Sequence, residues 1–311
     1  MRKFLLLINF FVLLSGLEIP LHRNGWREVL QTTGRAVTSR PFTIRFEFLD
    51  AHFMPDVYSL IDSRNFSSTL KLFFTSPIDD DENSILIPRS FISLSWHSFN
   101  MNYWTFGINP RSLFVRHFGP IALFSNSTDN SDDEKILQTN SSYDLFQSKC
   151  VSNSAIELWG NSHHSSYGAT MASFHSMNIK TRPNDLNIKT FEGGLLMVVP
   201  LAIFETIREA MLSLGVSEIF RHSGRMIGCS ESIIEKLPNI TLSFIHPLSN
   251  GTSGQLIISP NDYILLERDT CHLRLRTIAP GAPEIAAIDL IQLSGLNLFI
   301  TDQGVSICDA L

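Results

Sequence analysis

The sequence predicts a mainly β protein with two lobes. Short runs rich in Phe, Ile, Leu and Val alternate with clusters of turn-forming residues. The run 42–48 alternates apolar and polar side chains with the period of two that is typical of a half-buried strand. The chain has 311 residues, and at roughly 100–200 residues per domain this length gives one large or two medium domains. Many short strands and few helices in a chain of this length favour two packed β lobes.

The other elements follow the same logic along the chain. Residues 239–244 predict a second clear strand, and the Asn250-Gly251 pair after it favours a hairpin turn. The run 201–211 follows Pro200 and has apolar residues at helical spacing, which predicts a helix. The polar and acidic tract 125–142 is expected to be a loop.

Composition excludes several classes of protein. The chain is 44% hydrophobic and contains 23 Phe residues, which is too apolar for intrinsic disorder. Its net charge is −6 and it has few clusters of Lys and Arg, so we expect no nucleic-acid partner, because that binding depends on neutralising phosphates. The histidines 163, 164 and 175 lack the spaced Cys or carboxylate that would complete a tetrahedral site. The sequence therefore predicts no metal site and no cofactor.

The first sixteen residues predict a secretory signal peptide at 1–16. Arg2 and Lys3 form a basic start, and 4–14 is apolar apart from Asn9. This apolar run is shorter than the about 20 residues that an ordinary transmembrane helix needs. We expect the protein to be secreted or to stay in the lumen of the secretory pathway or of a lysosome-like compartment, without membrane contact once the signal is removed. Such an environment permits disulfides.

Asn-X-Ser/Thr sequons support this destination, because they are acceptors for N-linked glycans on surface segments of exported proteins. They begin at Asn65, Asn126, Asn140, Asn239 and Asn250. A chain rich in Ser and Asn also produces some sequons by chance, so each site is a candidate for glycosylation rather than a strong signal.

Several stretches of the second half of the chain carry a resemblance to a known family. They are the strand-like 167–174, the turn 197–200, the runs 237–244 and 258–264, and the late strand 298–302, which ends in Asp302. In this order, and with Cys229 and Cys271 among them, they resemble the C-terminal lobe of the pepsin-like aspartic proteases. The resemblance implies a disulfide between Cys229 and Cys271.

The first half is similar to the same family, again in family order. The matching stretches are 19–23, 58–63, 118–123 and 144–146. The resemblance implies a bilobal pepsin-like aspartic protease fold, with two β-barrel-like lobes and a cleft between them. The implied organisation is a propeptide-like segment at 17–39, an N-terminal lobe at 40–165 and a C-terminal lobe at 166–311.

Catalysis in this family needs two carboxylates that share one proton, one activating a water and the other polarising the peptide carbonyl. By resemblance, Asp62 is the first acid and Ser63 is the hydroxyl that braces its loop. Arg64 stands where the family has Gly, and its permanent charge would hold Asp62 ionised. A glycan on Asn65 would obstruct the cleft. The first catalytic loop therefore departs from the family pattern.

The second catalytic loop departs further. Counting back from Pro200, the second acid falls on or beside 191–194. If Gly193 is the loop glycine, Phe191 takes the position of the Asp; if one residue is deleted, Glu192 replaces it. Glu has one more methylene than Asp, and misplacing a reacting group by about 1 Å can cost of order 100-fold in rate. An ordinary solvated turn residue is the favoured interpretation of Glu192.

Three functions remain as hypotheses. The first is a secreted, catalytically impaired pepsin-like homologue that binds peptide or protein in the interlobe cleft. The second is a divergent active endopeptidase that uses Asp62 with Glu192. The third is a secreted structural or interaction glycoprotein with a closed cleft. We find no flap Tyr-Gly pair in 85–115 and expect the short helix near 293–298 to be missing, which favours the first. Cys150 and Cys308 are left open between pairing, staying free and linking chains.

Overall fold

The structure is a computed structural model that describes residues 16–22, 31–36, 42–48, 69–75, 83–88, 103–125, 134–158, 170–191, 193–218, 225–245, 252–268, 270–278 and 285–311. These residues are mainly β. The chain divides into two compact units: unit 1 is Met1–Asn153 with Gly295–Leu311, and unit 2 is Ser154–Ser294. Each unit has its own buried core.

The described residues of unit 1 form a mixed sheet and two short helices. Its strands are β1 (Glu18–His22), β2 (Gln31–Ala36), β3 (Phe42–Glu47), β4 (Thr69–Thr75), β5 (Asn83–Pro88), β6 (Tyr103–Gly107), β7 (Ile121–Ser125), β8 (Glu134–Thr139), β22 (Leu296–Ile300) and β23 (Val305–Asp309). Its helices are α1 (Leu113–Phe118) and α2 (Tyr143–Ser148). The strands lie in the order β5-β4-β2-β1-β8-β7-β22-β23, and β3 pairs with β2 and β6. The predicted strand at 42–48 is β3.

The last strands of the chain complete the sheet of unit 1. β22 runs antiparallel to β7, with Leu298 opposite Leu123, and β7 runs antiparallel to β8, with Leu123 opposite Leu137. These three leucines are fully buried on one face of the sheet. The sequence analysis places 295–311 in the C-terminal lobe, whereas these strand pairings place the segment in unit 1.

The opposite face of this sheet holds a disulfide. Cys150 and Cys308 are bonded, with their Cα atoms 5.6 Å apart. They pack with Ala122, Phe146 and Phe299, and the rings of the two phenylalanines stack with centroids 5.4 Å apart. The pairing that the sequence left open is therefore intramolecular and buried.

The expectation of a loop over 125–142 is wrong for its second part. Residues Glu134–Thr139 form β8, which pairs with β7 on one side and β1 on the other. Every second residue of this strand, Lys135, Leu137 and Thr139, is buried. Because two of these three are polar, the alternation of buried and exposed positions is not visible as an alternation of apolar and polar residues. The buried Lys135 is satisfied by donating from Nζ to the Leu296 carbonyl at 2.7 Å. A strand that buries a lysine does not show as an apolar run.

The described residues of unit 2 form two sheets and three helices, and the short strand 156–158 belongs to neither of these two sheets. Its strands are β9 (Ile156–Leu158), β10 (Thr170–Ser176), β11 (Ile179–Lys180), β12 (Asn184–Ile188), β13 (Met197–Val199), β14 (Ser217–Glu218), β15 (Arg225–Ile227), β16 (Ile240–Ile245), β17 (Thr252–Ile258), β18 (Ile264–Glu267), β19 (Thr270–Leu273), β20 (Leu275–Thr277) and β21 (Ile285–Ile288). Its helices are α3 (Leu201–Ser213), α4 (Glu231–Ile234) and α5 (Pro260–Tyr263). The larger sheet has the order β17-β16-β10-β12-β21-β13-β20, and the smaller one β14-β15-β19-β18.

Three sequence predictions agree with unit 2. The predicted helix is α3, which begins directly after Pro200 and buries Ile203, Ile207 and Met211 at a spacing of four residues. The predicted strand at 239–244 is β16, and it pairs antiparallel with β17, the next strand along the chain. The disulfide between Cys229 and Cys271 is present and links the segment before α4 to β19.

Candidate functional site

The second loop of the sequence analysis lies in unit 2, between β12 and β13. Gly193 and Gly194 have φ angles of 73° and 76°, in the left-handed region that residues with a Cβ adopt at a cost. The space around Gly193 is open, whereas Gly194 is buried. Two successive left-handed residues turn the chain sharply back into β13, so the glycine pair has a defined backbone role.

A fully buried carboxylate lies under this loop. Asp289 directly follows β21 and is 0% exposed. Its Oδ2 accepts a hydrogen bond from the Phe191 backbone N–H at 3.0 Å and from Gln292 Nε2 at 2.8 Å. Its Oδ1 accepts one from the Ile291 backbone N–H at 3.2 Å, which caps the single 3-10 turn Leu290–Gln292. Asp289 thus joins the start of the second loop to the chain 98 residues later.

Two further buried side chains, the guanidinium of Arg274 and the amide of Gln292, also hydrogen-bond to this loop. Arg274 donates from Nε to the Gly194 carbonyl at 2.8 Å, from Nη1 to the Asp262 carbonyl at 2.9 Å, and from Nη2 to Gln292 Oε1. The Gln292 amide nitrogen is also 3.3 Å from the Leu195 carbonyl oxygen. We call Arg274, Asp289 and Gln292 the buried trio. Through it, both ends of the loop are hydrogen-bonded to side chains from distant parts of unit 2.

The chemistry of the buried trio is structural. The Asp289 carboxylate is shielded from water and already accepts three hydrogen bonds, so it has no means of activating a water molecule. Arg274 places a permanent positive charge directly behind the Gly194 carbonyl. The buried trio therefore supports the loop and contributes no exposed acid of its own.

An aromatic ring and a cation lie next to each other at the start of the loop. Phe191 is half-buried, and the Lys189 Nζ lies 4.8 Å from the centroid of its ring, within the range of a cation–π contact. The described residues of the loop, Phe191, Gly193 and Gly194, carry no carboxylate. If Phe191 occupies the position of the second acid, a hydrophobic and cationic surface replaces it.

Most of the remaining predicted site residues lie in parts of the chain that the structure does not describe. Asp62, Ser63 and Glu192 lie outside the described residues, as do Arg64 and the sequons at 65, 126 and 250. The structure therefore does not test the proposed dyad.

Two sequons and one carboxylate outside the loop are described. The sequons at Asn140 and Asn239 begin with exposed asparagines. Asp302 is an exposed residue of the turn between β22 and β23. In that turn the Thr301 hydroxyl accepts from the Gln303 and Gly304 backbone N–H groups.

A second polar cluster lies on the larger sheet of unit 2. His175 Nε2 is 3.2 Å from the Ser173 hydroxyl and 3.3 Å from the Ser243 hydroxyl, and Gln255 Nε2 donates to Ser243 at 3.2 Å. Burial lowers the pKa of His175, and the charge of Lys180 lowers it further. The neutral ring therefore links β10 to β16.

The buried trio was missed in the sequence analysis. Its members are polar residues in or beside apolar runs: Arg274 in 271–277, and Asp289 after 285–288. Such residues are buried at a cost unless they are hydrogen-bonded, so an isolated polar residue between strand-like segments is a usable signal. The signal does not name the partners, which are far apart in sequence.

Within the described part of the chain, no helix has the length and apolar character needed to cross a membrane. Nor does this part of the chain bring together three or more His, Cys, Asp or Glu side chains in a way that suits a metal ion.

Comparisons with known proteins place the fold. No protein-family model and no curated protein matches the sequence. Among solved structures, the chain is similar to basic 7S globulin from soybean, with a TM-score of 0.64 and 10% sequence identity over 95% of this chain and 96% of that chain. That protein has the pepsin-like fold, so the predicted mainly β, pepsin-like fold is confirmed. At this identity the likeness establishes the fold alone.

Proposed function

We propose that this chain is a secreted, non-catalytic homologue of the pepsin-like proteases that binds peptide or protein without cleaving it. Its pepsin-like fold supports the family part of this proposal. Two disulfides, Cys150–Cys308 and Cys229–Cys271, fit an oxidising compartment. The sequence departures at Arg64 and at the second loop argue against an acid dyad.

One observation carries the proposal: the buried trio fixes the second loop around Phe191 and Gly194. An active loop of this family must present a solvent-accessible carboxylate to a water molecule. Here the carboxylate of Asp289, which contacts the loop directly, is buried and already accepts three hydrogen bonds. A loop held in this way loses little entropy on binding, because its backbone is already ordered. Rigid support of a half-buried aromatic ring and an exposed cation suits recognition better than hydrolysis.

Cleavage is the first test. The full chain, secreted from a eukaryotic host, is incubated with a peptide library at acidic pH alongside Asp62→Ala and Glu192→Ala variants. We expect all three proteins to leave the library intact and a statine-type transition-state analogue to have no effect. Cleavage by the unaltered chain that disappears in the Asp62→Ala variant would overturn the non-catalytic assignment and support the endopeptidase hypothesis.

Binding is tested separately with a randomised octapeptide library selected on the immobilised full chain. We expect enrichment of a shared sequence, with weaker enrichment on a Phe191→Ala variant. An Asp302→Ala variant, altered in an exposed turn of unit 1, serves as the matched control and should enrich the same sequence as the unaltered chain. Failure of every selection to converge would remove the peptide-binding proposal.

A further inference from the structure

One end of the larger sheet of unit 2 exposes large apolar side chains. Ile257, near the end of β17, is 61% exposed, and Met177, in the turn after β10, is 67% exposed. β10 and β17 both run antiparallel to β16, so these two residues lie at the end of the sheet where β16 begins. A hydrophilic group placed beside Ile257 and Met177 would shield this apolar surface from other molecules.

The strand register places a sequon at the same position. Thr241 lies opposite His175 of β10 on one side and Ile257 of β17 on the other. Cross-strand partners point to the same face, and residues two apart on an extended chain also share a face. Asn239 is two residues before Thr241 and is exposed. Its side chain therefore starts from the face that carries Ile257.

The backbone at this point is held firmly. The Tyr263 hydroxyl donates a hydrogen bond to the Pro238 carbonyl at 2.6 Å, and burial raises the pKa of Tyr263, so the hydroxyl stays protonated and able to donate. Directly after the asparagine, Ile240 is fully buried. Asn239 is thus an exposed residue between two anchored neighbours, so the attachment point of a group on it would be held at this end of the sheet.

We propose that Asn239 carries an N-linked glycan that covers the exposed apolar end of this sheet. The donor is a lipid-linked oligosaccharide pyrophosphate, met in the secretory pathway. The Asn239 side-chain nitrogen forms a bond to the anomeric carbon of the first sugar and loses a proton. The bond between that carbon and the pyrophosphate oxygen breaks, and the lipid pyrophosphate leaves. The glycan then places a hydrophilic layer beside Ile257 and Met177.

This inference rests on the secretory part of the proposed function. Glycosylation at Asn140 serves to distinguish failure of the inference about Asn239 from failure of export. Asn140 is also an exposed sequon asparagine, but it lies in unit 1, after β8. The full chain is secreted from a eukaryotic host and its peptides are weighed before and after removal of N-glycans. Glycan on Asn140 but not on Asn239 overturns the inference while leaving export intact. Glycan on neither asparagine of the secreted chain also overturns the inference and leaves export intact, whereas failure of the chain to reach the culture medium contradicts the secretory part of the proposed function.

Covering is tested with Asn239→Gln and, as the matched control, Asn140→Gln. We expect the first variant to bind a hydrophobic dye more strongly and to be retained longer on a hydrophobic column than the second. Adding Ile257→Thr to Asn239→Gln should shift both values back. If the two single variants behave alike, or if Ile257→Thr has no effect, the covering role is wrong. Circular dichroism of every variant separates these outcomes from misfolding.

Discussion

Asp289 is the residue on which the second loop depends most directly. Its carboxylate accepts from two backbone N–H groups, of Phe191 and Ile291, and from the Gln292 side chain. A buried donor that loses its acceptor costs free energy because it no longer has water as a partner. The loop conformation is therefore coupled to one side chain that lies far away in sequence.

Replacing Asp289 should destabilise the protein strongly. We expect Asp289→Ala to lower the free energy of unfolding by about 3 kcal/mol, since it leaves buried donors unsatisfied. Asp302→Ala, in an exposed turn, should change it by no more than about 0.5 kcal/mol. Urea unfolding followed by circular dichroism measures both. Equal effects of the two substitutions would show that the buried trio does not support the loop.

His175 should make stability depend on pH. Its pKa in the folded protein lies below the ordinary value of 6.5, chiefly because of burial and also because of Lys180. Below that ordinary value the unfolded chain binds more protons than the folded one, so stability falls as the pH drops through 6.5 towards the folded pKa, and no further below it. The facing groups are the hydroxyls of Ser173 and Ser243 and the ammonium of Lys180.

The measurement is the melting temperature between pH 7.5 and pH 5, compared with a His175→Gln variant. Gln keeps a hydrogen-bonding side chain but does not titrate, so its melting temperature should fall less over this range. Parallel curves for the two proteins would exclude His175 as the titrating group.

At the scale of elements, the spacing of apolar residues in the sequence identifies amphipathic helices and strands, but it misses a strand whose buried positions hold polar side chains. The helix α3 was predicted because its apolar residues recur at helical spacing. β8 was missed because Lys135 occupies a buried position that an apolar side chain usually fills. The buried ammonium of Lys135 needs a hydrogen-bond acceptor, and it finds one in the carbonyl of Leu296, which comes 161 residues later. A pattern read within one segment has no access to such a partner.

The buried face of α3 offers a matched pair of substitutions. Ile207 is fully buried, whereas Leu201 on the same helix is largely exposed. We expect Ile207→Ala to cost about 2–5 kcal/mol of stability, because it leaves a cavity as well as losing apolar contact. Leu201→Ala should cost much less, and both are measured by chemical denaturation. A larger loss for Leu201→Ala would contradict the packing of this helix.

At the scale of the whole molecule, the ordered motifs predicted the fold. They did not predict that the chain returns to unit 1 for its last strands. Hydrophobic runs such as 296–300 show that a strand exists, but the choice between β7 and a neighbour in unit 2 depends on long-range pairing. The catalytic positions stay predictions for a different reason, since Asp62 and Glu192 lie outside the described residues.

The disulfide between Cys150 and Cys308 should contribute more than local packing. It closes a loop of sequence separation 158, against 42 for Cys229 and Cys271. In the chain-entropy view a cross-link of such length stabilises by about 5 kcal/mol, and a shorter loop gives less. We expect the pair Cys150→Ser with Cys308→Ser to lower the denaturation midpoint more than Cys229→Ser with Cys271→Ser. The reverse order would show that native packing, rather than loop length, decides.

The return of the chain to unit 1 sets an order for biosynthesis. A chain emerging from the ribosome delivers all of unit 2 before it delivers β22 and β23. Until then β7 lacks its neighbour on one side, and Cys150 waits for Cys308. Unit 2, although it comes second in the sequence, has all of its strands available first. A chain that ends before Cys308 would leave unit 1 with an incomplete sheet and Cys150 without its disulfide partner.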